Sequence, residues 1–109
     1  MRRVLFLNVD GIAEERTTKM KIFNLDDFPD FNAVNSYPGH YVLYNTLEIE
    51  KNKSCIPFTE DSYNGSILII KRKENVILNM TTNKFISLIN KKKNVFGEEY
   101  SLSNSDSDP

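Results

Sequence analysis

Short apolar runs separated by polar turns predict a chain built mainly from β-strands. The apolar run at residues 4–7 is followed by Asp10-Gly11, a dipeptide that favours a turn, and a second run covers residues 20–23. We interpret the two runs as strands joined around residues 11–18. Residues 24–39 are rich in Asn, Asp and Pro and predict a loop, with a single helical turn opening at residues 26–29.

A clear alternation begins at Tyr41. Tyr41, Leu43, Leu47 and Ile49 fall on one face of an extended chain, and Tyr44, Thr46, Glu48 and Glu50 fall on the other. Alternation with period two is typical of a half-buried strand, so we predict one strand over residues 41–49. Residues 51–54 and Asn64-Gly65 read as polar turns, and Pro57 restricts the segment around it to an edge or a loop.

The most apolar segment, residues 67–70, predicts a central strand that is buried on both faces. The polar residues 71–75 interrupt it and residues 76–78 resume it, which predicts a hairpin with its tip at the charged residues.

Residues 82–90 fit two structures. Phe85, Leu88 and Ile89 match one face of a helix with Thr82 as its cap, whereas the β-prone pair Phe85-Ile86 favours a strand. We predict the strand. The serine- and aspartate-rich residues 101–109 are expected to be disordered. The predicted fold class is therefore mainly β, a small antiparallel sheet domain with an N-terminal β-hairpin segment and a disordered C-terminal tail.

Composition narrows the classes of protein that the chain can belong to. The 109 residues are 39% hydrophobic and 27% charged, which is ordinary for one globular domain. The net charge is -1, but residues 97–109 carry four acidic and no basic side chains, so the other 96 residues hold 14 basic and 11 acidic ones. A single cysteine excludes an internal disulfide, and no apolar run reaches the roughly 20 residues that span a bilayer. We expect a protein made in a reducing cytoplasm, without membrane insertion.

Candidate catalytic residues are few. Residues 5–11 resemble the first motif of haloacid-dehalogenase-type phosphatases, in which the first of two aspartates attacks phosphorus, but Asn8 stands at that position and an amide cannot do so. His40 is the only histidine and has no evident partner, so we interpret it as a surface side chain at a strand start. Cys55 has no histidine at a suggestive spacing. We expect no enzyme, no catalytic residue, no metal site and no cofactor.

Two basic clusters suggest a different function. Lys71, Arg72 and Lys73 form one cluster, and Lys91, Lys92 and Lys93 form the other. With Tyr41, Tyr44, Phe85 and Phe96 they could form a groove in which phosphates meet cations and bases stack on rings. This supports an alternative hypothesis, a small intracellular accessory module that binds a protein or single-stranded nucleic acid, although charged residues are also usual at hairpin tips.

An ordered set of segments resembles the pyocin-knob domains of phage tail fibres. Asp30-Phe31-Asn32-Ala33-Val34 followed by Pro38-Gly39-His40-Tyr41-Val42 resembles the opening of those domains, and residues 64–70 resemble their glycine-led apolar strand. Residues 79–89 take the place of the next two strands. Residues 95–100 take the place of the closing strand, which bears a tryptophan in the family, whereas this chain has none. Residues 4–12 resemble the shaft strands that precede such tips.

The resemblance implies a division of the chain and a function. It implies N-terminal shaft-like strands over residues 1–25, a knob-like β domain over residues 26–102 and an acidic tail over residues 103–109. It further implies a homotrimeric, non-enzymatic component of the virion tail that contacts other tail components and a host surface glycan. Glycan binding needs aromatic and hydrogen-bonding side chains together. Asn35, Tyr37 and Tyr63 lie in predicted loops and are candidates, although the resemblance itself assigns no binding residue.

Overall fold

This computed structural model describes the backbone of residues 1–96 and the side chains of residues 1–91. The described part of the chain contains six β-strands and one α-helix. The elements are β1 (Arg2–Leu7), β2 (Ala13–Thr18), β3 (Ala33–Tyr37), β4 (His40–Tyr44), β5 (Ile67–Lys73), β6 (Val76–Leu78) and α1 (Thr82–Phe96), with a short 3-10 helix at Leu25–Asp27. The mainly β fold class is confirmed. The tail predicted at residues 103–109 lies outside the described residues.

All strand pairs in the sheet are antiparallel. The order across the sheet is β2-β1-β5-β4-β3. β6 pairs with the last three residues of β5, beyond the point where the pairing of β1 with β5 ends. Because β1 pairs with both β2 and β5, the N-terminal strands and the strands of residues 26–78 share one sheet.

β5 is the centre of the sheet, as predicted. Ile67, Leu68, Ile69 and Ile70 are all buried, alternately on the two faces. One face packs beneath α1 and the long segment of residues 45–66, and the other packs beneath residues 23–31. Full burial of one such side chain stabilises the fold by about 1.5–3 kcal/mol. The predicted hairpin to β6 is also confirmed, but its tip is the pair Glu74-Asn75, and residues 71–73 belong to β5.

The first hairpin uses a different second strand from the predicted one. β1 pairs with β2 at residues 13–18, rather than with the apolar run at residues 20–23. The Asn8 carbonyl accepts the Gly11 N–H at 2.8 Å and the Asn8 side chain accepts the Ile12 N–H at 2.9 Å, so the chain reverses within five residues. A strand at the edge of a sheet with an exposed face depends on backbone pairing more than on apolar side chains. The hydrophobic pattern therefore did not predict β2, whose sequence is polar.

Residues 24–39 contain a strand as well as the expected helical turn. The turn is the 3-10 helix at Leu25–Asp27, capped by the Asn24 side chain, which accepts the Asp26 N–H at 3.1 Å. β3 was missed because its sequence, Ala-Val-Asn-Ser-Tyr, carries no alternation of its own. Its pairing with β4 decides its structure.

The strand predicted over residues 41–49 ends at Tyr44. Asn45 then starts a turn, because its side chain accepts the Leu47 N–H at 2.9 Å and its carbonyl accepts the Glu48 N–H at 3.2 Å. Leu47 and Ile49 are 80% and 91% exposed, so the second half of the alternating pattern is not a strand.

Residues 82–90 are helical, so the predicted strand is wrong. Thr81, rather than Thr82, caps α1, since its hydroxyl accepts the Lys84 N–H at 3.2 Å. Phe85 is buried beneath the helix, with Leu88 and Ile89 packed partly against the same core. The closing strand expected over residues 95–100 is also contradicted where it is described, because residues 95 and 96 end α1. Residues 97–100 lie outside the described residues.

Candidate functional site

The three side chains that the sequence suggested for glycan contact come together in the structure. Asn35 and Tyr37 lie on the same face of β3 rather than in a loop, and Tyr63 comes from the segment of residues 45–66. The Asn35 Nδ2 group donates to the Tyr63 hydroxyl at 3.0 Å, and the Tyr37 and Tyr63 hydroxyls are hydrogen-bonded to each other. Tyr37 also donates to Asp61 Oδ2 at 2.7 Å. The four residues form one hydrogen-bonded network.

The side chains of this network form a wall in which hydrogen bonds and ring packing hold the tyrosines in place. Tyr63 is only 6% exposed and its ring lies 5.1 Å from the Tyr44 ring. Burial, followed by the hydrogen bond with Tyr37, raises the pKa of the Tyr63 hydroxyl well above its ordinary value. The hydroxyl is therefore neutral at physiological pH. The expected stacking of a sugar on Tyr63 is not available, because the ring is enclosed.

An open groove lies against this wall. Its volume is about 320 Å³, and it is lined by Asn35, Tyr44, Asn45, Thr46, Glu48, Ser62, Tyr63 and Asn64. Tyr44 is half-buried and forms the accessible aromatic part of the lining. The Ser62 hydroxyl and the Glu48 carboxylate make no hydrogen bond or ion pair to another side chain or backbone group in the described part of the chain. These groups are free to bind a polar ligand.

Side-chain hydrogen bonds hold two residues of the groove lining, Thr46 and Asn64, in place. Asn32 and Thr46 bind each other reciprocally: Asn32 Nδ2 donates to the Thr46 hydroxyl at 3.0 Å, and the Thr46 N–H donates to Asn32 Oδ1 at 2.9 Å. Asn64, another lining residue, donates from its Nδ2 group to the Glu48 carbonyl at 3.3 Å. The groove residues are thus fixed to the start of β3 and to each other.

Gly65 leaves room for the Glu48 side chain, because it has no Cβ. Gly65 has a φ of 71°, in the left-handed region, and its N–H donates to the Glu50 carbonyl at 2.6 Å. A Cβ at this position would overlap the stem of Glu48. Glycine is therefore required both by the backbone conformation and by the side chain that packs over it.

The buried amide of Asn52 anchors the same segment to the sheet. Its Nδ2 group lies 2.6 Å from the Gly65 carbonyl and 3.0 Å from the Asn8 carbonyl, and its Oδ1 accepts from the Ser54 N–H at 2.8 Å and the Ser54 hydroxyl at 2.6 Å. The sequence suggested only a polar turn here. Nothing in the local pattern marks Asn52, because the groups it binds are distant in sequence.

His40 is buried, which corrects its assignment to the surface. The ring is 9% exposed and stacks on Phe58 with the ring centroids 4.3 Å apart. Burial lowers the pKa of His40, and the positive charges of Lys71 and Arg72 lower it further, although the nearby Pro38 carbonyl opposes them. Neither ring nitrogen has a hydrogen-bond partner of normal geometry among the described residues. The neutral ring packs as an aromatic side chain.

The structure gives several residues of the expected nucleic-acid groove other contacts. Arg72 is committed to the fold: its guanidinium donates to the carbonyls of Tyr37, His40 and Glu74 and to the Ser36 hydroxyl at 2.7–3.2 Å, and it lies over the Tyr41 ring.

Two aromatic residues of that groove, Tyr41 and Phe85, are also unavailable. Tyr41 and Phe85 are buried in the two different core clusters, on opposite faces of the sheet, so neither ring can stack with a base. Tyr44 lines the groove described above. Lys91 is exposed, and the side chains of Lys92, Lys93 and Phe96 lie outside the described ones.

Asn8 and Cys55, the other two residues considered for catalysis, lie outside the groove. Asn8 closes the β1–β2 turn, and Cys55 is an exposed free thiol. Within residues 1–96, no group of three or more potential metal-ligating side chains is close enough to hold an ion. In the same range, none of the helical structure is long and apolar enough to cross a membrane.

Comparisons with known protein families, with curated proteins and with solved structures find no match to this chain.

Proposed function

We propose that the protein is a non-enzymatic recognition module that binds a saccharide through the groove between β3 and the segment of residues 45–66. The observation that carries the proposal is this groove of about 320 Å³, whose walls are almost entirely amides, hydroxyls and tyrosines. A volume near 300 Å³ is at the lower end of small-molecule sites. The polar lining suits a ligand that is itself covered with hydroxyl groups.

Rigidity of the lining supports binding. Ordering side chains on binding costs about 0.5–1.5 kcal/mol for each one that becomes immobilised. Asn35 and Tyr63 are already hydrogen-bonded to each other, and Thr46 is held by Asn32. The groove therefore offers a preformed surface, so that little of the binding free energy is lost in ordering it.

The biological setting in this proposal is the tip of a phage tail fibre, which the resemblance of residues 30–42 and 64–70 to pyocin-knob domains suggests. In that setting the ligand is a glycan on the host cell, the protein is part of the virion tail after synthesis in the host cytoplasm, and the functional unit is a homotrimer. Light scattering over a range of concentrations tests the assembly. A stable trimer supports the fibre setting, and a monomer at every concentration favours an accessory module.

Filling the groove tests the binding site. Ser62 is exposed and makes no hydrogen bond to the described residues, so Ser62→Trp should fill the groove without removing a contact of the fold. Ser87→Trp, on the exposed side of α1, is the matched control. We expect the unmodified protein and the Ser87→Trp variant to bind saccharides on a printed panel, and Ser62→Trp to lose that binding at unchanged thermal stability. A protein that binds no saccharide, or a Ser62→Trp variant that binds like the control, contradicts the proposal.

A protein partner is the second candidate, and an exposed apolar pair favours it. Ile22 and Val76 are bridge partners between the segment before the 3-10 helix and β6, and they are 58% and 39% exposed. Contiguous exposed apolar surface marks sites of association more often than scattered apolar side chains do. In the accessory-module hypothesis this pair would contact the partner. For the nucleic-acid form of that hypothesis, no retention on single-stranded DNA at low salt is the decisive negative result.

A further inference from the structure

We infer that the saccharide bound in this groove carries a free amino group, so that the ligand is a positively charged amino sugar rather than a neutral or acidic one. The inference rests on the proposed function and adds the charge of the ligand to it. It follows from the distribution of charged side chains around the groove.

The groove is acidic in a body that is otherwise basic. Among the residues that the structure describes, Glu48 is its only charged lining residue, and no lysine or arginine lines it. Asp61 lies just behind the wall, bound to the Tyr37 hydroxyl at 2.7 Å. By contrast, residues 1–96 as a whole carry 14 basic and 11 acidic side chains. An acidic sugar in the groove would therefore meet the Glu48 carboxylate and no lysine or arginine among the described lining residues.

A neighbouring cleft is also lined by acidic residues, Asp30 and Glu48. This second cleft, of about 300 Å³, shares Asn45 and Glu48 with the groove and adds Asp30 and Arg16 to the lining. Arg16 is paired with another carboxylate, because its Nε lies 3.3 Å from Glu14 Oε2, and its guanidinium lies over the Phe6 ring at 3.7 Å. A saccharide longer than one ring would pass one further lining carboxylate, that of Asp30, along this path.

The Glu48 carboxylate is held where it can contact a ligand. The Glu48 N–H donates to the Asn45 carbonyl at 3.2 Å, its carbonyl accepts from Asn64, and its stem packs over Gly65. No ion pair or hydrogen bond occupies the carboxylate within the described residues. An ammonium group in place of a sugar hydroxyl would form a charge-assisted hydrogen bond with it. For a pair this exposed, the gain in affinity should be about fivefold.

Isothermal titration with matched sugars tests the inference. The probes are the tetramer of glucosamine and the tetramer of N-acetylglucosamine, which differ in having free or acetylated amines, with sialyllactose as an acidic sugar. At about pH 6 a sugar amine is protonated, since its pKa resembles that of an α-amino group. We expect the free-amine tetramer to bind about fivefold more tightly than the acetylated one, and sialyllactose to bind most weakly.

Two charge-matched variants assign the preference to Glu48. Glu48→Gln should bring the ratio of the two tetramer affinities close to one. Glu50→Gln removes the same charge two residues away, from a side chain that does not line the groove, and should keep the fivefold ratio. Equal binding of the two tetramers by the unmodified protein, or a preference that survives Glu48→Gln, overturns the inference while leaving saccharide binding intact. Failure to bind any of the sugars overturns the proposed function as well.

Discussion

Two halves of one alternating pattern end in opposite environments. Leu43 is fully buried in β4, whereas Leu47 and Ile49, which continue the same alternation, are 80% and 91% exposed. The difference lies in the neighbours. β4 is flanked by β3 and β5, which pair with every residue of it, whereas residues 45–50 have no flanking strand in the described structure.

The two regions differ in the interactions that stabilise them. The sheet around β5 depends on the burial of apolar side chains on both faces. The segment of residues 45–66 adds Ile56 and Tyr63 to one of these cores, and it depends in addition on side-chain hydrogen bonds to backbone groups, chiefly those of Asn52. Alternation therefore records which residues can form a strand, and the presence of a partner strand decides whether they do.

The largest expected effect compares two isoleucines. Ile69 is fully buried at the centre of β5, and Ile49 is exposed. Ile69→Ala should lower the free energy of unfolding by about 4 kcal/mol, because it leaves a cavity between packed strands. Ile49→Ala should change it by no more than about 0.5 kcal/mol. Urea unfolding followed by circular dichroism measures both, and equal effects would show that the sheet around β5 and the segment of residues 45–66 share one environment.

The next largest effect concerns Asn52, which holds the segment of residues 45–66 to the sheet. Asn52→Ala removes a buried amide that donates to the Gly65 and Asn8 carbonyls and accepts two bonds from Ser54. We expect a loss of about 3 kcal/mol, because the buried Gly65 carbonyl is left without its donor and the Ser54 N–H without its acceptor. Asn64→Ala, which removes one exposed bond of 3.3 Å, is the control and should cost about 0.5 kcal/mol. The same unfolding assay applies, and a small effect of Asn52→Ala would mean that the segment is held elsewhere.

A third comparison uses two turn glycines, one in each region. Gly39, between β3 and β4, has a φ of 83° and open space around it, whereas Gly65 has a φ of 71° and the Glu48 stem in contact. Gly39→Ala should cost about 1 kcal/mol, from backbone strain alone. Gly65→Ala should cost about 2 kcal/mol, because Glu48 must also move. Thermal unfolding measures the pair, and a larger effect at Gly39 would contradict this account.

The smallest effect is a pH dependence at the contact between the two regions, where His40 of β4 stacks on Phe58. Because the pKa of His40 is lowered in the folded protein, the unfolded chain binds a proton first as the pH falls. Stability should therefore be complete above the ordinary pKa of 6.5 and decrease as the pH falls below it, towards the lowered pKa of the folded state. His40→Phe keeps the ring stack and should flatten this slope.

Melting curves between about pH 5 and pH 7 measure the slope, since carboxylates titrate lower. His40 is the only histidine, so no other imidazole contributes in that range. An unchanged slope in His40→Phe would assign the pH dependence to another group.

The candidate site was visible in the sequence only as separate residues. Asn35, Tyr37 and Tyr63 could be singled out as polar and aromatic side chains, but their contact depends on the pairing of β3 with β4 and on the path of residues 45–66. Glu48 was expected on the polar face of a strand, and its place on a groove wall follows from the turn at Asn45. Asn52 gave no signal, because its partners lie up to 45 residues away in sequence.

Local apolar content and backbone freedom were enough to predict the mainly β class, the buried central strand β5, its hairpin with β6 and the turn at Gly11. By contrast, contacts between distant parts of the chain make β2 and β3 strands, residues 82–96 a helix and His40 a buried side chain. Polar strands at the sides of a sheet take their conformation from the strand they pair with, and a short apolar run takes either helix or strand according to the surface it covers.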